Sequence, residues 1–149
     1  MKIYLASDHA GFKLKGKLSA FLLQKGHEIV DLGNKIYDEN DDYPNFISPL
    51  AEKVAQEKNT LGLVIGKSGN GEAMVANKVI GIRAALCLST EMAKLARSHN
   101  DANILVLGAE FVQDKEAEEI VEVFSSTPFS NEERHKRRIE EISSYEQKS

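Results

Sequence analysis

Cysteine is almost missing from this chain of 149 residues, where Cys87 stands alone. No internal disulfide and no cysteine-based metal cluster can form, which suits a reducing compartment. Long apolar runs are missing too, since no stretch approaches the ~20 apolar residues that span a bilayer. After Met1 and Lys2 the apolar residues 3–6 stop at Ser7-Asp8-His9, too short for a signal peptide. The expectation is a cytoplasmic protein with no membrane partner. Basic charge is not in excess: 19 Lys and Arg stand against 23 Asp and Glu, a net charge of −4. Nucleic acid selects the opposite balance and is not an expected partner. Metal-site spacing is absent as well. His9, His27, His99 and His135 make no His-x-x-x-His pair, so no metal is expected.

What is present describes a globular chain. Hydrophobic residues make up 42% and charged residues 28%, and the length suits one domain, residues 1–149, that buries its own core. Apolar runs at 3–6, 28–32, 61–65, 82–86 and 104–107 read as strands. Between and after them come helical segments. One follows Ser7-Asp8-His9, carries Leu14, Leu18, Phe21 and Leu22 on one face and closes at Gly26. Others are expected at 47–58, 72–78, 90–98, 114–124 and 131–145. This alternation predicts an α/β fold with a five-stranded parallel sheet covered by helices on both faces. Ligands of such sheets bind beyond the carboxyl ends of the strands. Asp8-His9, the loop 66–71 and Gly108-Ala109-Glu110 fall there.

The loop Gly66-Lys67-Ser68-Gly69-Asn70-Gly71 is the most informative segment. Three glycines before a helix let backbone N–H groups converge on a phosphate or an oxyanion; the same residues also make a tight turn with no ligand. Two sharper motifs fail on spacing. Lys67-Ser68 follow the first glycine rather than closing a P-loop, and a dinucleotide fingerprint would place its third glycine at Met74. Glu72 follows, either as a first-turn acid complementing the helix dipole or as a general base beside those donors. His9 ends the first strand beside Asp8, and His99-Asn100-Asp101 lies between a helix and the last strand. Neither Ser7 nor Ser68 sits in a Gly-x-Ser-x-Gly elbow. Arg134-His135-Lys136-Arg137-Arg138 is the one dense basic run. It is a solvated face or, with Arg134 and Arg138 at i, i+4, a phosphate clamp.

Six segments in order resemble the RpiB/LacAB family of sugar-phosphate isomerases over nearly the whole chain. They are Ser7-Asp8-His9-Ala10-Gly11, Asp42-Tyr43-Pro44, Gly69-Asn70-Gly71-Glu72 with Ala76-Asn77-Lys78, Gly81-Ile82-Arg83-Ala84-Ala85, His99-Asn100-Asp101-Ala102-Asn103, and the basic run from Arg134 to Arg138. The resemblance implies a Rossmann-like three-layer α/β/α fold with a C-terminal helix. It also implies an aldose–ketose isomerase without metal or cofactor, a homodimer or dimer of dimers with active sites between subunits. One branch of the family uses a cysteine at the end of the third strand as base. Gly66 stands there, so the chain resembles the branch that uses the glutamate of Gly-Asn-Gly-Glu. By that match Glu72 is the base, with Ser68, Gly69, Asn70 and Gly71 around the enediolate. Asp8 and His99 open the sugar ring, His9, Arg134 and Arg138 hold the phosphate, and Asn100 and Tyr43 line the pocket. The implied substrates are ribose 5-phosphate and ribulose 5-phosphate. Another phosphorylated sugar (allose 6-phosphate or a four-carbon phosphate) and a non-catalytic sensor are the alternatives. The chain departs from the pattern at Glu110, where the family usually has Arg, and at Lys67, where it commonly has Gly. Glu110 is expected to face Lys136, Arg137, Arg138 or solvent rather than Lys67, and Cys87 to be a buried core residue.

Overall fold

The computed structural model describes residues 1–148. Its elements run β1 (Lys2–Ser7), α1 (Phe12–Gln24), β2 (Glu28–Asp31), α2 (Pro44–Gln56), β3 (Thr60–Gly66), α3 (Asn70–Ala76), β4 (Ala84–Leu86), α4 (Thr90–Asn100), β5 (Ile104–Gly108), α5 (Asp114–Ser126) and α6 (Glu133–Glu146). Every strand pairing is parallel, in the order β2-β1-β3-β5-β4. The expected α/β sheet with helices on both faces is present.

Side chains alternate across β1 and sort the core into two layers. Ile3 and Leu5 face a cluster with Leu14, Leu18 and Leu22 of α1, Ala93 of α4 and Ile120 of α5. Tyr4 and Ala6 face the other cluster, with Ile47, Leu50 and Val54 of α2 and Ala76 of α3. Central β3 is buried along its whole length, which explains its unbroken apolar run. The chain leaves β1 toward β2 and returns to build β3 on the opposite side. The crevice between the carboxyl ends of β1 and β3 is therefore the switch point where open sheets bind ligands.

Two helices begin earlier than the apolar pattern suggests. α2 opens at Pro44, since the first helical position tolerates a residue without an N–H. α3 opens at Asn70, so Asn70 and Gly71 belong to its first turn rather than to the loop. α4 continues to Asn100, which puts His99 and Asn100 on a helix rather than in a connection.

Candidate active site

Glu72 is the third residue of α3, and helical side chains lean toward the amino end, so its carboxyl reaches back over the end of β3. It is only 4% exposed. A Cβ built on Gly66 would stand 2.0 Å from Glu72 Oε1. The carboxyl thus fills the space of a side chain at 66, and a cysteine base there could not share it. Asp8, buried just past β1, lies beside Glu72, and its Oδ1 receives the Gly11 N–H at 3.1 Å. Burial first, then the Asp8 charge, pushes the Glu72 pKa above the usual carboxylate range.

The surrounding loop matches this geometry. Gly69 takes φ 85°, a left-handed turn that starts α3. The Ser68 hydroxyl accepts the Asn70 N–H at 3.2 Å. The Tyr43 ring lies on the first turn of α3, where a Cβ on Gly71 would meet its hydroxyl at 2.6 Å. The structure therefore brings together Asp8, Tyr43, Ser68, Gly69, Asn70, Gly71 and Glu72.

His9 joins the same end of the sheet. Its Nδ1 lies 2.7 Å from Asp41 Oδ1, and its backbone N–H donates to that oxygen at 3.2 Å. The bond to Asp41, ahead of the charges of Asp8 and Glu39, raises the His9 pKa. Asp8, His9 and Asp41 bring potential ligand atoms within 4.8 Å of one another, the one such group among the described residues.

His99, Asn100, Arg134 and Arg138 lie elsewhere. α4 runs back across the sheet, so its last turn arrives at the amino ends of the strands. There the Asn100 carbonyl accepts Arg83 Nε–H at 2.8 Å, just before β4, and the Asn103 carbonyl accepts the Gly62 N–H near the start of β3. Arg138 and Asn100 line a cavity of about 810 Å³ with Ile82, Ile142 and Tyr145. The His99 ring stacks on buried His135, centroids 4.3 Å apart. Arg134 Nε donates to Glu132 at 2.9 Å. β3 has seven residues, so the two groups are separated by about 20 Å of sheet. One copy of the chain holds these two groups of candidate residues at opposite ends of the sheet.

Comparison with known proteins decides the family. The family model described as Ribose/Galactose Isomerase matches residues 3–142. The chain belongs to the Ribose/Galactose Isomerase family. Ribose-5-phosphate isomerase B of Mycolicibacterium paratuberculosis is 47% identical over 146 residues, 98% of this chain and 92% of the relative. The crystal structure of ribose-5-phosphate isomerase B from Mycoplasma genitalium with bound ribulose 5-phosphate superposes with a TM-score of 0.95. The two are 44% identical, over 99% of this chain and 97% of that one. The Clostridium thermocellum ribose-5-phosphate isomerase B structure also gives a TM-score of 0.95, at 41% identity over 99% of each chain. The Rossmann-like three-layer fold follows from these likenesses and from the five-stranded parallel sheet. Among the described residues, no helix is long and apolar enough to cross a membrane.

Lys67 and Glu110, expected to lie apart, are joined in the structure. Lys67 Nζ lies 3.5 Å from Glu110 Oε1. The reason is register: Gly66 of β3 pairs with Gly108 of β5, so the turns that follow run side by side, and the Glu110 N–H donates to the Lys67 carbonyl at 3.1 Å. Cys87 is buried in the core, where desolvation pushes its thiol to about 11 and makes it a poor nucleophile.

Asp41 is a functional candidate that the sequence reading passed over. It sits among Asp38, Glu39 and Asp42 in an acidic loop, and nothing in spacing or composition separates it from them.

Proposed function

We propose that the protein is a cytoplasmic aldose–ketose isomerase that interconverts ribose 5-phosphate and ribulose 5-phosphate, one domain over residues 1–149, with Glu72 as its base. The observation that carries this is the Glu72 carboxyl: nearly buried, packed over Gly66, set beside Asp8 and raised in pKa. A base that accepts and returns a proton near neutral pH needs such tuning. The identity to relatives named ribose-5-phosphate isomerase B supports the choice of sugar.

In this reading Asp8 and His99 open the furanose. One takes the proton of the C1 hydroxyl and the other protonates the ring oxygen as the C1–O4 bond breaks. Glu72 then removes the C2 proton, and the electron pair moves to form the C1–C2 double bond with negative charge on O1. Donors from Ser68, Gly69, Asn70 and Gly71 surround that oxyanion, a charge that develops only during the reaction. Glu72 returns the proton to C1, while the O2 proton is lost as its carbonyl forms and O1 regains one. The Ser68 hydroxyl both donates and accepts, and so suits that relay. His9, Arg134 and Arg138 hold the phosphate, and Tyr43 and Asn100 line the space between. Binding energy at the phosphate positions C2 against Glu72.

The separation of the half-sites supports a composite active site. Asp8, His9 and Glu72 of one copy would meet His99, Asn100, Arg134 and Arg138 of another, in a homodimer or a dimer of dimers. Two-fold symmetry then yields two equal sites per pair.

Glu72→Gln tests the central assignment. It keeps size and polarity but removes basicity, so isomerisation of ribose 5-phosphate should fall by ~10²–10⁴-fold. Solvent deuterium incorporation should fall in parallel while binding survives. Near-normal turnover would refute the assignment.

A further inference from the structure

We propose that Asp41 is a positioning residue of the phosphate subsite: its bond to Nδ1 fixes His9 so that Nε2 is the nitrogen turned toward the phosphorylated substrate. The proposal rests on the reading of His9 as a phosphate ligand and adds what makes it one.

His9 lies outside any strand or helix, so its ring needs an anchor. Asp41 supplies one twice over, since a single oxygen receives both the ring at 2.7 Å and the His9 backbone N–H at 3.2 Å. The Asp41 side chain is 5% exposed, whereas that of His9 is 33% exposed, so the anchor is dry and the ring reaches the surface. The second Asp41 oxygen receives Asn34 Nδ2 at 2.7 Å. Asn34 is itself tied down. Its N–H donates to the Ser7 carbonyl at 2.9 Å, and its carbonyl accepts buried Lys15 Nζ at 2.5 Å. Lys15 also pairs with Asp31 at 2.8 Å. The carboxylate is thus held by the end of β1, by α1 and by the loop after β2.

The chemistry of imidazole makes the arrangement matter. A carboxylate only accepts, so Nδ1 must carry the proton. In the neutral ring Nε2 would then offer a lone pair, which repels phosphate oxygens; in the cation it offers an N–H. Asp41, Asp8 and Glu39 face His9 with negative charge, and the Tyr37 ring meets it edge-on at 6.2 Å. All three carboxylates favour the cation, and Asp41, the hydrogen-bonded one, contributes most. The residue that orients the ring also keeps its outward nitrogen a donor to higher pH.

The test measures KM and kcat for ribose 5-phosphate from pH 5.5 to 9 in the wild type, Asp41→Asn, Asp41→Ala and His9→Gln, with histidine ¹⁵N spectra of each. Asp41→Asn keeps an acceptor for Nδ1–H but loses the charge. KM should rise roughly threefold, kcat should stay within about twofold, and the alkaline rise in KM should begin at lower pH. Asp41→Ala frees the ring, so KM should rise about tenfold or more. The spectra should show His9 titrating lower in both variants. If His9→Gln leaves KM unchanged, the phosphate reading of His9 fails and takes the proposal with it. If His9→Gln raises KM while both Asp41 variants leave KM and its pH dependence in place, the proposal alone fails. A fall in kcat and melting temperature with the KM profile unmoved also overturns it, because Asp41 is then structural.

Discussion

At Glu72, burial and the neighbouring Asp8 carboxyl raise the pKa, which gives folding stability a pH signature. A folded-state pKa above the unfolded value contributes stability that is complete below the unfolded value. That contribution is lost as pH rises through the folded value. Above the folded-state value the ionised Glu72 carboxylate therefore destabilises the fold. Glu72→Gln should melt higher than the wild type at pH 7.5, by roughly 2–4 °C if about 1 kcal/mol is recovered, and the gap should close in mild acid. Calorimetry at both pH values checks this, and a lower melting point at pH 7.5 would contradict it. Lys67 and Glu110 illustrate the opposite case. They are 68% and 56% exposed, and such pairs contribute about 0–1 kcal/mol. Their consequence is for charge rather than stability: in the proposed reading Lys67 offsets a carboxylate that would otherwise repel the substrate phosphate. Glu110→Arg should leave the melting temperature nearly unchanged and lower KM for ribose 5-phosphate, with little change in kcat. A KM that rises or stays put would place this turn outside the phosphate field or in the recognition of a different substrate.

The segment from β3 to α3 works as a unit. Gly66 has no side chain because the Glu72 carboxyl occupies that space, and Gly69 turns the chain so that α3 delivers Glu72 there. Gly66→Ala should displace the carboxyl and cost ~10²-fold in kcat, the scale of a 1 Å misplacement. The double variant Gly66→Ala, Glu72→Gln should be no worse than Glu72→Gln alone. Additive losses would mean that residue 66 acts on something other than Glu72. This segment was legible in the sequence because its glycines, serine and glutamate are contiguous. The limits of α3 and α4 were less so. Apolar periodicity marks a helix only where it is buried, and Asn70-Gly71 and His99-Asn100 are polar end residues that read as loop. Asp41 and the Lys67–Glu110 pair left no mark, since each depends on segments that meet only through strand register.

The half-sites at opposite ends of the sheet lead to a test on the assembled protein. In the proposed reading, Glu72→Gln disables one half-site and Arg138→Ala the other. If active sites form between copies, mixing the two inactive variants under conditions that exchange subunits should restore roughly a quarter of wild-type activity. Half of the pairs are then mixed, and each mixed pair holds one intact site of two. No recovery, with exchange verified by mass spectrometry, would place all catalytic groups within one copy. Composition, apolar periodicity and contiguous motifs are local properties. They suffice for the α/β class, the strands and helices, the nomination of Glu72 and the buried thiol, because each depends on near neighbours along the chain. Strand order is not local: β5 lies between β3 and β4 through the routing of whole crossovers, and α4 carries His99 to the far end of the sheet. Packing in three dimensions decided which end of the sheet each candidate residue reaches, because burying both faces of the sheet, rather than closeness in sequence, places the helices that carry them.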